Sequence, residues 1–486
     1  MEQASSVIVN EDEVSGKECM HITYATSHDG KSDAVFVKEY IHMNDGSVIP
    51  NVKMLKDLER SFWITKPARR NHKDKLQWES IENCTEYRCR EMDLTRTADK
   101  ALGNSGYVSS KKQLFKSPYL WGCGVKPQCN VKYAYVNTYP NTKSRLARVS
   151  VIDTETDVLH GTGEIIMACH TFKDKAVLAV TRAFFDNAPD EVIKQRFELK
   201  LKELLGNPEN KQIGDVLTAR GLNVELALED NAGAVTKTIL DRGHEWKPDF
   251  TAFWNMNFDI PKMTKALDKY GYSAAECFSD PSVPDEYKFF KYTVGDDKKK
   301  THDGKVSSIN PEQQWHVAEC PASFFLVDAM TSYWRLRIAA GMEDGYSLDA
   351  VLGRNLDIGK LTIPETSYLS GIDYHKEMQQ NYKYEYAVYC LFDGISTEML
   401  DEETGDLAIK FPAMCKYSDF TDFKSGPRRI ADEMHFHCLE NGHVFGVTIG
   451  SVRDENDDFV LKSKDWIITL PAFMGHNLGL DFVENN

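Results

Sequence analysis

Apolar and polar positions change period several times along the chain, and each change marks an element. From "RLARVSVIDTET" onward an apolar strand over 149–152 is followed by the apolar runs "EIIMACHTF" and "KAVLAVTRAFF". Short runs of this kind, bounded by polar turns, predict buried strands. "PDEVIKQRFELKLKELLG" opens with acids and repeats its apolar residues at helical spacing, which predicts an amphipathic helix. "PDFTAFWNMNFDIPKMTKALDKYG" predicts a strand, a turn and a helix with Pro261 in its first turn. Residues 281–315, rich in Lys, Asp, Gly and Pro, predict an extended loop or hairpin. "SFFLVDAMTSYWRLRIAAG" returns to a strand feeding a helix, and "YHKEMQQNYKYEYAVYCLFDGISTEMLDEE" predicts one long helix or two adjoining ones. Before about residue 146 short strand-like and helical runs mix, with a loop-rich stretch from "TADKALGNSGYVSSKKQ" to "WGCGVKPQCN"; after about 405 the pattern is mixed again. The middle of the chain therefore predicts an α/β fold.

Charge enters this pattern at an unexpected place. In "SVIDTETDV" (150–158) an apolar strand runs into Asp153 and Glu155, two residues apart and so on one face of the strand. Like charges converging there repel, and a bound divalent cation is the obvious remedy. Two further motifs sit in matching contexts. "FWNMNFD" places Asn255, Phe258 and Asp259 at a strand-to-helix junction, and "YCLFD" places Tyr389 and Asp393 four apart on one helix face. Each motif alone has a plain structural reading: a strand-end DxE, a helix cap, a helix-face pair. Their succession, each beside an apolar element, argues for one joint site. Asp153, Glu155, Asp259 and Asp393 would then supply hard oxygen ligands for two divalent metal ions, Mg2+ or Mn2+, of the kind that cleave phosphodiesters. Tyr389 would orient the attacking water.

The three motifs resemble those of the DEDDy 3′→5′ exonucleases, in the version carried by family B DNA polymerases. "YSLDAVLGRNLDIGKL" (346–361), "DGSVIPNVKMLKDLERSFWI" and "YSDFTDFKSGPRRIADEMHFHCL" are similar to stretches of the replicative polymerases of T-even-like bacteriophages. The resemblance implies a ribonuclease H-like exonuclease domain over 147–405. It implies a mixed α+β N-terminal domain built from both chain ends, 1–146 with the return segment and pre-palm linker 406–486. It also implies that Asp153, Glu155, Asp259, Tyr389 and Asp393 are catalytic, and that Leu159, Asn255 and Phe258 contact DNA, Leu159 as a wedge against the terminal base. The segment after the first motif, "DTETDVLHGTGEIIMA", is shorter than in the phage enzymes.

Neither palm motif of a family B polymerase, DxxSLYPS-like or DTDS-like, occurs here, and "VGDDKKKTHDGK" reads as a solvated turn. The chain is therefore expected to be the N-terminal half of a polymerase, encoded separately or truncated. Its expected partners are single-stranded or primer-template DNA, a palm-containing subunit and other replisome proteins, with "WIITLPAFM" (466–474) as a candidate contact surface. An autonomous DEDDy exonuclease and a catalytically idle DNA-binding scaffold are the alternatives. Composition (486 residues, 42% hydrophobic, 27% charged) fits a globular protein of two or three domains. The formal charge of −16 argues against a general polyanion-binding surface but permits a local basic groove. Six lysines against three aspartates over 288–305 read as a phosphate-contacting hairpin or a solvated loop. No apolar run approaches the ~18 residues that span a bilayer, so no membrane is expected. The first residues lack the basic start and apolar core of a secretory signal. Eleven cysteines without a CxxC point to reduced thiols in a cytoplasm, that of the host if the protein is viral. Cys84, Cys89, Cys123 and Cys129 are too loosely spaced for a zinc site, and His435, His437, Cys438 and His443 do not share a helix face.

Overall fold

The structure is a computed structural model that describes residues 3–5, 7, 9–104, 106, 114–300, 304–361, 363–366 and 368–446. The 466–474 stretch lies outside the described residues. The chain is a mixed α/β protein, and the contacts of its described residues group into two units, 3–58 with 127–429 and 59–126 with 430–446.

The first unit is organised by an eight-stranded mixed sheet. Its strands are β1 (Val149–Thr156), β2 (Ile165–Phe172), β3 (Lys175–Thr181), β4 (Asn223–Glu229), β5 (Phe250–Phe253), β6 (Lys291–Thr293), β7 (Val317–Glu319) and β8 (Phe325–Asp328). They lie in the order β4-β3-β2-β1-β5-β8-β7-β6. β2 runs antiparallel to both β1 and β3, whereas β5 is parallel to β1 and to β8. The helices of this unit that concern the site are α1 (Asp190–Leu205), α2 (Ala232–Trp246), α3 (Met256–Lys269), α4 (Ala329–Leu336), α5 (Leu348–Leu356), α6 (Gly371–Asn381) and α7 (Lys383–Thr404).

The two-residue period of the strands sorts their side chains between two helix layers. Met167, Cys169, Leu178 and Val180 face α1 and α7, where they pack with Ile193, Phe197, Leu391, Phe392 and Ile395. Their neighbours Ala168, Val177 and Ala179 face α2 and α3, against Val235, Ile239, Ile260 and Met263. Strands buried on both faces read as continuous apolar runs, which is why "KAVLAV" shows no alternation. Close approach of α7 to the sheet depends on Gly394. A Cβ there would stand 2.8 Å from Cys169 Sγ and 3.0 Å from Thr171 Cγ2.

The same unit carries an antiparallel sheet near the N-terminus, with strands in the order Gln3–Ser5, Val48–Lys56, Asp33–Met43, Val14–Thr26. Tyr40 on its third strand donates a hydrogen bond to Asp249 Oδ1 just before β5 (2.7 Å), and Lys38 Nζ donates to the Lys247 carbonyl (3.1 Å). In the second unit, Glu59–Thr65 pairs with Cys84–Arg90 and Leu120–Trp121 over a core of Phe62, Ile64, Leu94, Ala98 and Leu120. There the late strand His443–Phe445 pairs antiparallel with Trp78–Ser80.

Two local expectations are corrected. Pro261 sits in the second turn of α3, because the helix already begins at Met256. The stretch read as loop from residue 97 overlaps the helices Leu94–Ala101 and Pro127–Thr138 at its ends. Within 281–315, expected as an extended loop or hairpin, Lys298–Lys300 pair antiparallel with Val306–Ser308. Among the described residues no helix is long and apolar enough to cross a membrane.

Candidate active site

β1 lies mid-sheet and ends in alternating environments. Ile152 and Thr154 are buried, while Asp153 and Glu155 emerge together on the face covered by α7. Asp393 projects from α7 toward them. One oxygen from each of Asp153, Glu155 and Asp393 lies within 4.8 Å of the others, the sole grouping of three or more ligand-type acids, histidines or cysteines among the described residues. Asp259, in the first turn of α3, stands outside that grouping. Its Oδ1 accepts a 2.6 Å hydrogen bond from Thr154 Oγ1, on the strand residue between the two acids.

This crowding is expensive for negative charge. Burial, followed by the charges of Asp393, Asp259 and Glu155, holds the Asp153 carboxyl well above the usual carboxylate range. Burial likewise pushes Glu155 up to about 8 and Asp259 to about 7. The compensating charge is Lys360, whose Nζ donates to Asp393 Oδ2 (2.6 Å) and to the Tyr389 hydroxyl (2.8 Å). Burial works against this ammonium, but attraction to Asp393, Asp153 and Glu155 outweighs it and raises its pKa. Lys360 is itself held in place, since its backbone N–H donates to Asp349 Oδ1 of α5 (2.9 Å).

Tyr386 and Tyr389 lie three apart on α7 with nearly parallel rings, 5.8 Å between centroids. Tyr386 donates to Glu155 Oε2 and its hydroxyl also meets His375 Nδ1 at 2.9 Å. Burial, and then the charge of Asp393, keeps the Tyr389 phenol far above its ordinary pKa. Tyr389 can therefore align a water but cannot serve as a phenolate base.

The donor set suits a hard divalent cation. Asp393 Oδ1 is a buried carboxylate oxygen without a hydrogen-bond partner, which is the kind of atom a metal ion would satisfy. Asp153, Glu155 and Asp393 are the residues placed to hold such an ion, with Asp259 adjoining.

The DNA-contact candidates take separate positions. Leu159 is partly buried in the loop after β1. Phe258 is 45% exposed at the start of α3, with Lys262 Nζ 5.6 Å from its ring centre. Asn255 occupies the N-cap position of α3 but makes no side-chain cap bond. That role falls to Asp328 at the end of β8. Its Oδ2 accepts from Met256 N (3.1 Å) and its Oδ1 from Thr331 N (2.7 Å), and burial pushes its carboxyl up to about 7. Sequence reading missed Lys360, Tyr386 and Asp328. Lys360 sits in a loop that no periodicity marks, whereas Tyr386 carried a usable signal, being one turn before Tyr389 on the same helix face.

Cys84, Cys89, Cys123 and Cys129 are buried and form no disulfide, and burial raises the pKa of Cys84 to about 11 and of Cys123 to about 12. Comparison with models of known protein families finds no match for the chain, and comparison with curated proteins finds none either.

Proposed function

We propose that the chain is a metal-dependent 3′→5′ exonuclease of ribonuclease H-like fold. In this reading it trims unpaired primer ends as the proofreading part of a split family B replicative polymerase. The observation that carries the reading is the convergence of Asp153, Glu155 and Asp393, with Asp259 adjoining, from one central strand and two helices on opposite faces of the sheet. The run β3-β2-β1-β5-β8 with β2 alone reversed supports it, because that is the strand arrangement of ribonuclease H-like folds.

When bound, two Mg2+ or Mn2+ ions would supply a water activated for attack and a stabilised leaving oxygen. The chain's own groups do the rest. Asp153, Glu155 and Asp393, with Asp259 adjoining, would provide the ligands, and the Tyr389 hydroxyl, accepting from Lys360, is fixed to donate toward an attacking water. Lys360 adds positive charge beside the scissile phosphate, where negative charge develops. Phe258 offers an exposed ring for base stacking.

The test is cleavage of a 3′-labelled single-stranded DNA in Mg2+ or Mn2+. The wild type should shorten it stepwise, and Asp153→Ala with Glu155→Ala should abolish cleavage while leaving the fold intact. Cleavage by that double variant at the wild-type rate would remove the assignment. For the split-polymerase part, co-expression with palm-containing polypeptides should yield a complex by size-exclusion chromatography that extends a primer. Template-directed synthesis by this chain alone would refute it.

A further inference from the structure

A single buried carboxamide joins the substrate-facing loop to the candidate metal ligands. Gln379 lies on α6, is 2% exposed, and uses its full hydrogen-bonding capacity. Its Oε1 accepts from two consecutive backbone N–H groups, Val158 (3.0 Å) and Leu159 (3.1 Å). Since those partners can only donate, the orientation of the amide is fixed. Its Nε2 donates to the Thr156 carbonyl (2.8 Å) and to the Tyr386 hydroxyl (3.4 Å), and Tyr386 in turn holds Glu155. One side chain thus touches the strand end, the loop and the tyrosine that grips a candidate ligand.

Apart from Gln379, the loop 157–163 has a longer tie from Lys262 Nζ of α3 to the Gly163 carbonyl (3.4 Å) and is otherwise braced by itself. Asp157 accepts from His160 N (2.9 Å) and Thr162 Oγ1 (2.6 Å), and Gly163 N donates to the Asp157 carbonyl (2.9 Å). Such a loop is internally stiff, and its bonds to Gln379 are shorter than its tie to Lys262.

We propose that Gln379 is a positioning residue that locks the 157–163 loop at a fixed distance from Glu155. It thereby holds Leu159, on that loop, in one place relative to the substrate end. This rests on the exonuclease reading and deepens it. The tie acts on substrate placement, so its loss appears in KM and in discrimination between unpaired and paired ends, ahead of kcat.

Two variants separate the contributions. Gln379→Met keeps the volume and removes all four bonds, whereas Gln379→Glu keeps the acceptor for Val158 N and Leu159 N. Hydrogen exchange by mass spectrometry should show faster exchange confined to 157–163 in Gln379→Met and near wild-type protection in Gln379→Glu. On single-stranded DNA, Gln379→Met should raise KM about tenfold with kcat within about threefold, and its preference for unpaired ends should fall. Gln379→Glu should keep KM within about threefold. Unchanged KM and end preference in Gln379→Met, or a fall in kcat at constant KM, would overturn the proposal. If Gln379→Met unfolds, a KM above that limit in Gln379→Glu would overturn it instead. Wild-type and Asp153→Ala chains are run alongside. If the wild type does not cleave, the nuclease reading has failed, and exchange alone decides the tie: acceleration at 157–163 upholds it, and no change overturns it.

Discussion

Replacing Glu155 with Gln should stabilise the metal-free protein at alkaline pH while removing its function. Burial, against the hydrogen bond from Tyr386, carries the Glu155 carboxyl from 4.5 to about 8. A carboxyl raised on folding binds its proton more tightly in the folded chain, so stability falls as pH rises through this window. Each pH unit between the two values costs about 1.4 kcal/mol, which makes the burden about 3 kcal/mol at pH 7 and about 5 kcal/mol once pH exceeds 8. Glutamine carries no such titration, and its carbonyl can still accept from Tyr386. Urea unfolding in EDTA at pH 5, 7 and 8.5 measures the difference. Wild type should lose roughly 3–4 kcal/mol more than Glu155→Gln between pH 5 and 8. Mn2+ at a hundredfold over its Kd should return about 2.7 kcal/mol to the wild type and less to the variant. Parallel pH–stability curves for the two proteins, or a variant less stable than wild type at pH 8.5 in EDTA, would refute the reasoning.

Other consequences are more local. On the proposed exonuclease reading, in which the phenol positions water without being a ligand, Tyr389→Phe should slow cleavage ~10- to 1000-fold while calorimetry finds Mn2+ binding retained. Lys360→Met should lower kcat about 100-fold. The same change should move the His375 titration, followed by NMR, to higher pH, because burial and then the Lys360 charge hold that imidazole low in the wild type. Gly394→Ala should cost about 1–3 kcal/mol in urea unfolding, because the added methyl meets Cys169 Sγ and Thr171 across the α7–sheet contact. A loss under about 0.5 kcal/mol would mean that α7 moves aside easily.

What could be read from the sequence follows the range of the interactions involved. The strands 165–172 and 175–181 and the helix 190–205 are written in local period and turn chemistry and stand where expected, and the strand expected over 149–152 runs on to 156. That Asp153 and Glu155 share a face follows from the pleat alone. The start of α3 did not, because the group satisfying Met256 N is Asp328, 72 residues away, and no local cap announces it. Lys360 and Gln379 were invisible for a related reason. A lysine in a polar loop and a glutamine in "EMQQN" look like solvated residues, and only tertiary packing turns them inward. The polar residues that organise the candidate site are thus ones whose partners lie outside their own element.

The spacing of the acids along the chain also sets an order in time. β1, β2 and β3 form a local meander that can pair as soon as its residues leave the ribosome, with Asp153 and Glu155 already on its face. Asp393 is made roughly 240 residues later, which at about 5–20 residues per second is a delay between about 10 and 50 s. Lys360 arrives only shortly before it. Throughout that interval the nascent meander carries the pair of carboxylates without the ammonium that offsets them or the α7 face that buries them. Before α7 docks, its unfinished sheet also exposes Met167, Cys169, Leu178 and Val180. The growing chain is then most exposed to misassociation between the synthesis of β3 and that of α7, and ribosome-bound intermediates stalled in that window are where chaperone contacts should concentrate.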